Sequence, residues 1–394
     1  MFAIATAVFA GAGIAQAQQP TGVDRPVGSG SAALTQMMGQ YNQAQTPAPA
    51  APGAVDPNGA PGCSACAPAD NCYKIHGWLA ADYLLFFPES QRLQPGLVTT
   101  GGVTNVGGSV GLPIASGLRI DTGMWWDLEQ IKGTQTIVDT VFRSTNTIAF
   151  GAGSTINTNA GANSFTVTAP STFQTWSQYG DTEANMMRRL YCDDGTRIYF
   201  LYGTKLAYLE EDAMFRYTLA GGAAGAVGAA NFLDEFHVRN GFLGGDAGFL
   251  VKSVFGNWTV DAAAKCALGV NYVASTALGS NNAAGAVAGT GGAAVGGNTQ
   301  IFTNDSNIGY RETSYFSVIP ELNLNLAYQV TERIQVRMGY TFMAWINTQR
   351  PGDQIDPTLT PAGAIAGTHT APVVPNVTST YIIHGLNFGA TWKY

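Results

Sequence analysis

Four histidines, at positions 76, 237, 369 and 384, bound the acid–base chemistry open to this chain. His237, close to Glu235 and Asp234, is the best candidate for a base oriented by a carboxylate, as hydrolysis would need. The alternative is that these groups line a solvated rim. His76 begins a predicted strand, His384 takes the parity of an apolar face, and His369 falls in a long loop. Cys63, Cys66 and Cys72 resemble half a zinc site, yet no second Cys-x2-Cys or paired His completes it. Disulfide chemistry, with Cys192 as the fourth candidate, is the reading for an exported chain. Asp353 and Asp356 could offer oxygens to Ca²⁺, but Pro-Gly-Asp is equally a turn. No catalytic, cofactor or metal residue is assigned.

The remaining chemistry is charge at alternate positions. Asp82, Arg119, Asp121, Asp127, Arg197, Lys205, Asp261, Lys265, Glu321, Arg333 and Arg337 share the polar parity of their segments, so both signs face one side. The last segment shows the pattern best. Trp392, Ala390, Phe388, Leu386 and Ile382 alternate with Lys393, Thr391, Gly389, Asn387 and Gly385, which reads as a strand with one apolar and one polar face. Ten such segments are predicted. The clearer ones are His76–Phe87, Gly117–Glu129, Trp258–Tyr272, Thr313–Gln329, Arg333–Thr348 and Tyr381–Tyr394. The fainter ones are Lys132–Arg143, Trp176–Leu190, Arg197–Glu211 and Arg239–Lys252.

Side chains are 46% hydrophobic and only 11% charged, whereas soluble domains carry roughly a quarter charged residues. Beyond the N-terminus no strongly apolar run supplies the roughly 18 residues of a spanning helix. The best candidates, Tyr217–Leu233 and Ala283–Gly297, are Gly/Ala low-complexity, so strands must do any crossing. A net charge of −7 without a basic stripe argues against nucleic acid as a partner. Connections alternate between short (Ile131-Lys132, Tyr191–Thr196, Ser253–Asn257, Val330-Thr331) and long (around Pro88–Ser116, Ser144–Thr175, Asp212–Val238, Val273–Glu312, Gln349–Thr380). Short periplasmic turns and long outer loops are the rule of bacterial barrels. The expectation is all-β: a closed antiparallel transmembrane barrel of about ten strands, with twelve as the alternative.

The chain opens on an apolar stretch ending Ala15-Gln16-Ala17, read as a signal peptide over 1–17 although no Lys or Arg precedes it. Residues 18–75 form a Pro/Ala/Gln-rich leader with too little to bury to offset its ordering entropy. The barrel occupies 76–394. On this parity Met124, Leu268, Leu324 and Val336 face lipid, and Arg119, Lys265, Asn323 and Arg337 face inward. Counting from Val330-Thr331, Glu321 lies diagonal to Arg337. Cys266 takes the lipid face and is expected to be a buried, inert thiol.

Trp78-Leu-Ala-Ala-Asp-Tyr83, Gly117-Leu-Arg-Ile-Asp-Thr-Gly123-Met-Trp, Pro320-Glu-Leu-Asn-Leu-Asn-Leu-Ala-Tyr328 and Arg350-Pro-Gly-Asp-Gln-Ile-Asp356 resemble the planctomycete putative beta-barrel porin-7 family. The resemblance runs from Trp78 to Tyr394 and implies an outer-membrane barrel more firmly than transport. It brings no catalytic or binding residues. Eight-stranded barrels are filled by side chains and 16-stranded ones leave a channel, so about ten strands argues against wide diffusion. The functional expectation is a narrow or gated channel for small solutes or ions. The alternatives are a structural or adhesive surface barrel with a filled lumen and, last, a hydrolase. Outer-membrane lipid is the expected partner, and no cofactor is implied.

Overall fold

The structure, a computed structural model, describes residues 76–125, 132–158, 162–193, 195–220, 229–283, 287–288, 294–296, 300–359 and 371–394. Residues 1–75, over which the signal peptide and the leader with Cys63, Cys66 and Cys72 are expected, lie outside them, as do Asp127, His369 and the side chain of His76. In chain order the strands are β1 His76–Pro88, β2 Gln91–Thr100, β3 Val103–Val110, β4 Ala115–Trp125, β5 Gly133–Phe150, β6 Thr155–Thr158, β7 Asn163–Thr166 and β8 Ser171–Cys192. There follow β9 Thr196–Ala220, β10 Ala229–Phe255, β11 Trp258–Asn281, β12 Val287–Ala288, β13 Ala294–Val295, β14 Gly309–Gln329, β15 Ile334–Thr348 and β16 Ser379–Lys393.

Ten of them close into an antiparallel barrel in the order β1-β16-β15-β14-β11-β10-β9-β8-β5-β4, with β4 returning to β1. All ten expected segments are barrel strands. Closure leaves no unpaired edge, which is what a hydrocarbon surround demands. The outward residues of β14 read Tyr328, Leu326, Leu324, Leu322, Pro320, Val318 and Phe316. Six of these are apolar side chains at alternate positions, and Leu324 is 44% exposed. From 328 to 316 is twelve residues, about 30 Å of height for a tilted strand. Aromatics mark the short-turn edge of this band, where Trp392 packs at a tilt against Tyr394 and Trp258 against Tyr328, with centroids 5.0 and 4.8 Å apart.

Four expectations are corrected. The stretch Pro88–Ser116 contains β2 and β3, and Ser144–Thr175 contains the end of β5 together with β6 and β7. These strands form a sheet in the order β3-β2-β6-β7. Asp212–Val238, taken as a loop, is mostly ladder, because β9 and β10 pair from Thr196↔Ser253 to Ala220↔Ala229. The length needed to cross lipid does not limit a strand that continues beyond it. Past Leu209 on β9 and Asn240 on β10 the faces exchange polarity. Outward positions become Glu210, Asp212, His237 and Arg239, while Phe215, Tyr217, Phe232 and Phe236 turn inward and are buried.

The third correction is the β14–β15 turn, which is Val330–Arg333 rather than two residues. Thr331 Oγ1 accepts hydrogen bonds from the backbone N of Arg333 and Ile334, and Gln329 pairs with Gln335. The wider turn shifts the register, so Glu321 faces Met343 and Arg337 faces Ala327. The diagonal Glu321–Arg337 pair does not form. The fourth is Arg333, an exposed turn residue rather than part of a strand. By contrast, β10 and β11 join through Gly256-Asn257, with Gly256 at φ +59°, the conformation tight hairpins require.

Candidate functional site

Inward parity brings most of the predicted charged residues into one buried layer across the middle of the bore. Arg119 on β4 faces Asp139 on β5 and holds it with two hydrogen bonds, Nε to Oδ1 at 2.7 Å and Nη2 to Oδ2 at 2.5 Å. Its Nη1 reaches Asn323 Oδ1 at 3.2 Å. Arg337 on β15 grips Asp82 on β1 in the same forked way, at 2.7 and 2.6 Å, with Nη1 3.4 Å from Asp121. Between them on β16 lies Gly389, the register partner of both Asp82 and Arg337. A Cβ there would overlap Asp82 Oδ1, so glycine is what lets β1 reach across to β15.

The centre of the layer is Lys205 on β9, 1% exposed. Its Nζ lies 2.6 Å from Asp181, 2.5 Å from Glu183 and 2.8 Å from Glu321, so all three ammonium protons have a carboxylate. Lys265 adds an ion pair to Glu183 and lies 3.5 Å from Glu321. The oxygens of Asp181, Glu183 and Glu321 are close enough together to suit a metal ion, but the Lys205 ammonium sits among them. Asp139, Asp181 and Glu183 escaped the sequence reading. The signal was present in Asp181-Thr-Glu183-Ala-Asn185, where carboxylates and an amide alternate with small outward residues.

The other predicted residues lie nearer the short-turn mouth. Asp261 is 3.6 Å from Lys252. Arg197 takes inward parity opposite Lys252 and Cys192 at the rim, half-buried. Cys192 is disulfide-bonded, and its partner lies outside the described residues. Cys266 is free but exposed rather than buried as expected, because its outward parity leaves the thiol on the barrel's outer surface. Leu268 and Val336 are exposed at 52% and 44%, and Met124 is half-buried.

Above the charged layer the bore is apolar. Leu84, Phe86, Tyr179, Phe242, Ile319, Trp345, Tyr381 and Ile383 are buried and form one cluster. Tyr179 Oη donates to Met343 Sδ across it at 3.0 Å. Over this layer the turn Pro351–Gln354 folds inward. Arg350 forks onto Glu211 at 2.8 and 2.8 Å and donates to the carbonyls of Glu89 and Ser90. Asp356, a metal candidate, accepts from Thr358 N, Thr358 Oγ1 and Val373 N, which makes it a turn-closing residue. Below the charged layer the bore is open, as a cavity of about 780 Å³ lined by Trp78, Trp125, Lys252, Lys265 and Arg337 among others.

Of the catalytic candidates, Asp234 separates from Glu235 and His237, which share the outward parity of β10. Asp234 faces inward, where its carboxylate accepts from Tyr217 Oη at 2.7 Å, Thr303 Oγ1 at 2.5 Å and Phe302 N at 3.3 Å. Burial raises it to about 6, against the lowering effect of these hydrogen bonds. His237 faces outward beyond the apolar band, 3.1 Å from Glu210 and 3.6 Å from Asp212. Burial would raise Glu210, but hydrogen bonds from His237, Tyr208 and Arg239 outweigh it and hold it at about 2. Burial would lower His237, yet Asp212 and Glu210 outweigh it and raise the imidazole. This arrangement favours a charged His237 paired to its neighbours, which is poor preparation for a general base.

The family model described as Putative beta barrel porin-7 (BBP7) matches residues 78–394. No curated protein matches the chain. Among solved structures, the outer membrane protease OmpT from Escherichia coli aligns at 9% identity over 84% of this chain and 99% of its own, with a TM-score of 0.41. The toluene transporter TodX of P. putida aligns at 8% identity over 84% and 91%, with a TM-score of 0.26. Scores this low speak neither for nor against an activity here.

Proposed function

Because this chain belongs to the Putative beta barrel porin-7 family, we propose that it is an outer-membrane β-barrel whose bore is closed by side chains, serving as a structural or adhesive surface barrel rather than a diffusion pore. The short turns would face the periplasm and the long loops the exterior, the usual sense of such barrels. One observation carries the reading. The buried apolar layer of Tyr179, Phe242, Trp345 and Tyr381 lies directly above a charged layer whose groups are already paired. Opening a path means separating buried ion pairs, which costs about 3–5 kcal/mol for each pair broken. It also means exposing packed aromatic rings. Enzymatic activity is not proposed, since Asp234 turns inward and is already hydrogen-bonded, while His237 is paired to Glu210 and Asp212 on the outward face.

Planar-bilayer recording of the purified, refolded protein tests this. The expected record is quiet at moderate voltage of either sign. A stable unitary conductance would overturn the closed bore. A gated channel is the second reading, favoured by the cavity that already opens half of the bore from one end. It predicts brief, voltage-dependent openings in place of silence.

A further inference from the structure

The cavity at the short-turn end has walls of two kinds. On one side are Trp78, Trp125, Met187, Leu201 and Leu250, from β1, β4, β8, β9 and β10. Trp78 and Trp125 lie with centroids 5.1 Å apart, and Trp125 continues to Tyr199 at 5.2 Å. The indole Nε1 of Trp78 is fixed by Asp121 at 3.1 Å, so the ring is held in place before anything binds. Met187, Leu201 and Trp78 are buried in one cluster with Trp125 and Leu250 packed against it.

The opposite side is cationic at the mouth. The backbone N of Lys393 donates to the carbonyl of Arg333, which sets two basic residues side by side. Lys252 is close enough to repel Lys393. Deeper acids are already engaged, Asp82 and Asp121 by Arg337 and Asp261 by Lys252. Glu332 lines the cavity beside Arg333, and Lys393 Nζ donates to Gln329 Oε1 at 2.7 Å. With Lys252, Arg333 and Lys393 set against Asp261 and Glu332, the side chains at the mouth carry one net positive charge. A volume of about 780 Å³ falls within the roughly 300–1,000 Å³ of small-molecule sites.

We propose that this cup binds one small amphipathic organic anion, with its flat apolar body against the Trp78–Trp125 wall and its acidic group at the Arg333–Lys393 rim. The apolar wall contributes burial without polar cost, and a ring packed against the indoles gains beyond area alone. The rim cations attract the anion and set its direction of entry. The site extends the closed-bore reading, in which the charged layer is the floor of the cup.

The probe is 2-naphthoate, titrated calorimetrically into the full-length protein held in amphipol, with protein-free amphipol as blank. One saturable site per chain in the micromolar to millimolar range is expected. The neutral analogue 2-naphthalenemethanol should bind at least tenfold more weakly. Arg333→Ser with Lys393→Ser should weaken naphthoate about tenfold and leave the neutral analogue unchanged. Leu201→Trp, which fills the cup, should abolish both, and heat-modifiable gel migration confirms that each variant is folded. Absence of a saturable site, equal affinity for the neutral analogue, or naphthoate binding insensitive to the rim pair each overturns the proposal. Binding by a barrel that conducts would sink the closed bore alone, and a silent barrel without binding would sink the cup alone.

Discussion

Replacing Lys205 with Met reports whether the middle of the barrel is dry. Lys205 Nζ is within 2.5–2.8 Å of three carboxylates and the side chain is 1% exposed. Met keeps most of the volume and removes the charge. Lys265 still compensates Glu183 and Glu321, but Asp181 loses its ion pair. Removing one partner of a buried pair typically costs about 3–5 kcal/mol. Escape by protonation has a ceiling, since protonating an ordinary carboxyl at pH 7 costs about 4 kcal/mol, three pKa units at about 1.4 each. The expected loss is therefore about 3–4 kcal/mol, measured by urea titration of folding into lipid vesicles with gel mobility as a second probe. Lys205→Met with Asp181→Asn should recover part of it, because the uncompensated charge is removed. Arg333→Met, in an exposed turn, should change stability by less than about 0.5 kcal/mol. A loss below about 1 kcal/mol for Lys205→Met would mean that water reaches the layer, and the closed bore would fall with it.

Leu324→Arg, in the middle of the outward apolar band, should cost roughly 2–4 kcal/mol in the same titration, and an equally stable variant would place this face elsewhere. Asp234 is raised to about 6 in the folded protein from 3.8, so the folded state binds its proton more tightly. Its stabilising contribution is present at low pH and lost as pH rises from about 4 to 6, on the order of 3 kcal/mol. Asp234→Asn should remove that component, and identical pH slopes for native and variant proteins would refute it. Gly389→Val should displace Asp82 from Arg337 and destabilise by about 3 kcal/mol or more, whereas Ala390→Val, outward on the same strand, should be near neutral. Finally, Cys192 is proposed to pair with one of Cys63, Cys66 or Cys72, tethering the leader to the barrel floor. Non-reducing peptide mapping should recover it joined to a leader peptide, and a join to any other peptide, or to none, counts against the tether.

The sequence exposes the barrel because a two-residue period recurs strand after strand while short and long connections alternate. Leu322, Leu324 and Leu326 against Glu321, Asn323 and Asn325 can be read without coordinates. What sits at the two ends of the strands is less visible. Beyond Glu210 and Arg239 both faces carry polar residues or reverse their order, and the alternation that announced β9 and β10 stops announcing them. The partner of a lumen charge is hidden for another reason. Arg337 meets Asp82 across an intervening strand, 255 residues away, so no counting along one hairpin could find it. A two-residue error at the Val330–Arg333 turn was enough to suggest Glu321 instead. Asp181 and Glu183 were missed on a strand marked only by its alternation, although their spacing resembled that of charges recognised elsewhere.

The reversal of face polarity on β9 and β10 has a mechanical consequence. A wall that is apolar inside and polar outside needs no lipid to stay folded, so it can rise above the bilayer like any water-soluble sheet. About ten residues of each strand lie beyond the reversal, roughly 25 Å of height at the rise and tilt of a barrel strand. Phe215, Phe232, Phe236 and Phe302 pack inside that wall together with Val98, Val106, Ile156 and Phe165 of the four-stranded loop sheet. The loop sheet is thus carried on a rigid pedestal and held clear of the headgroups, where large ligands can approach it from the side as well as from above.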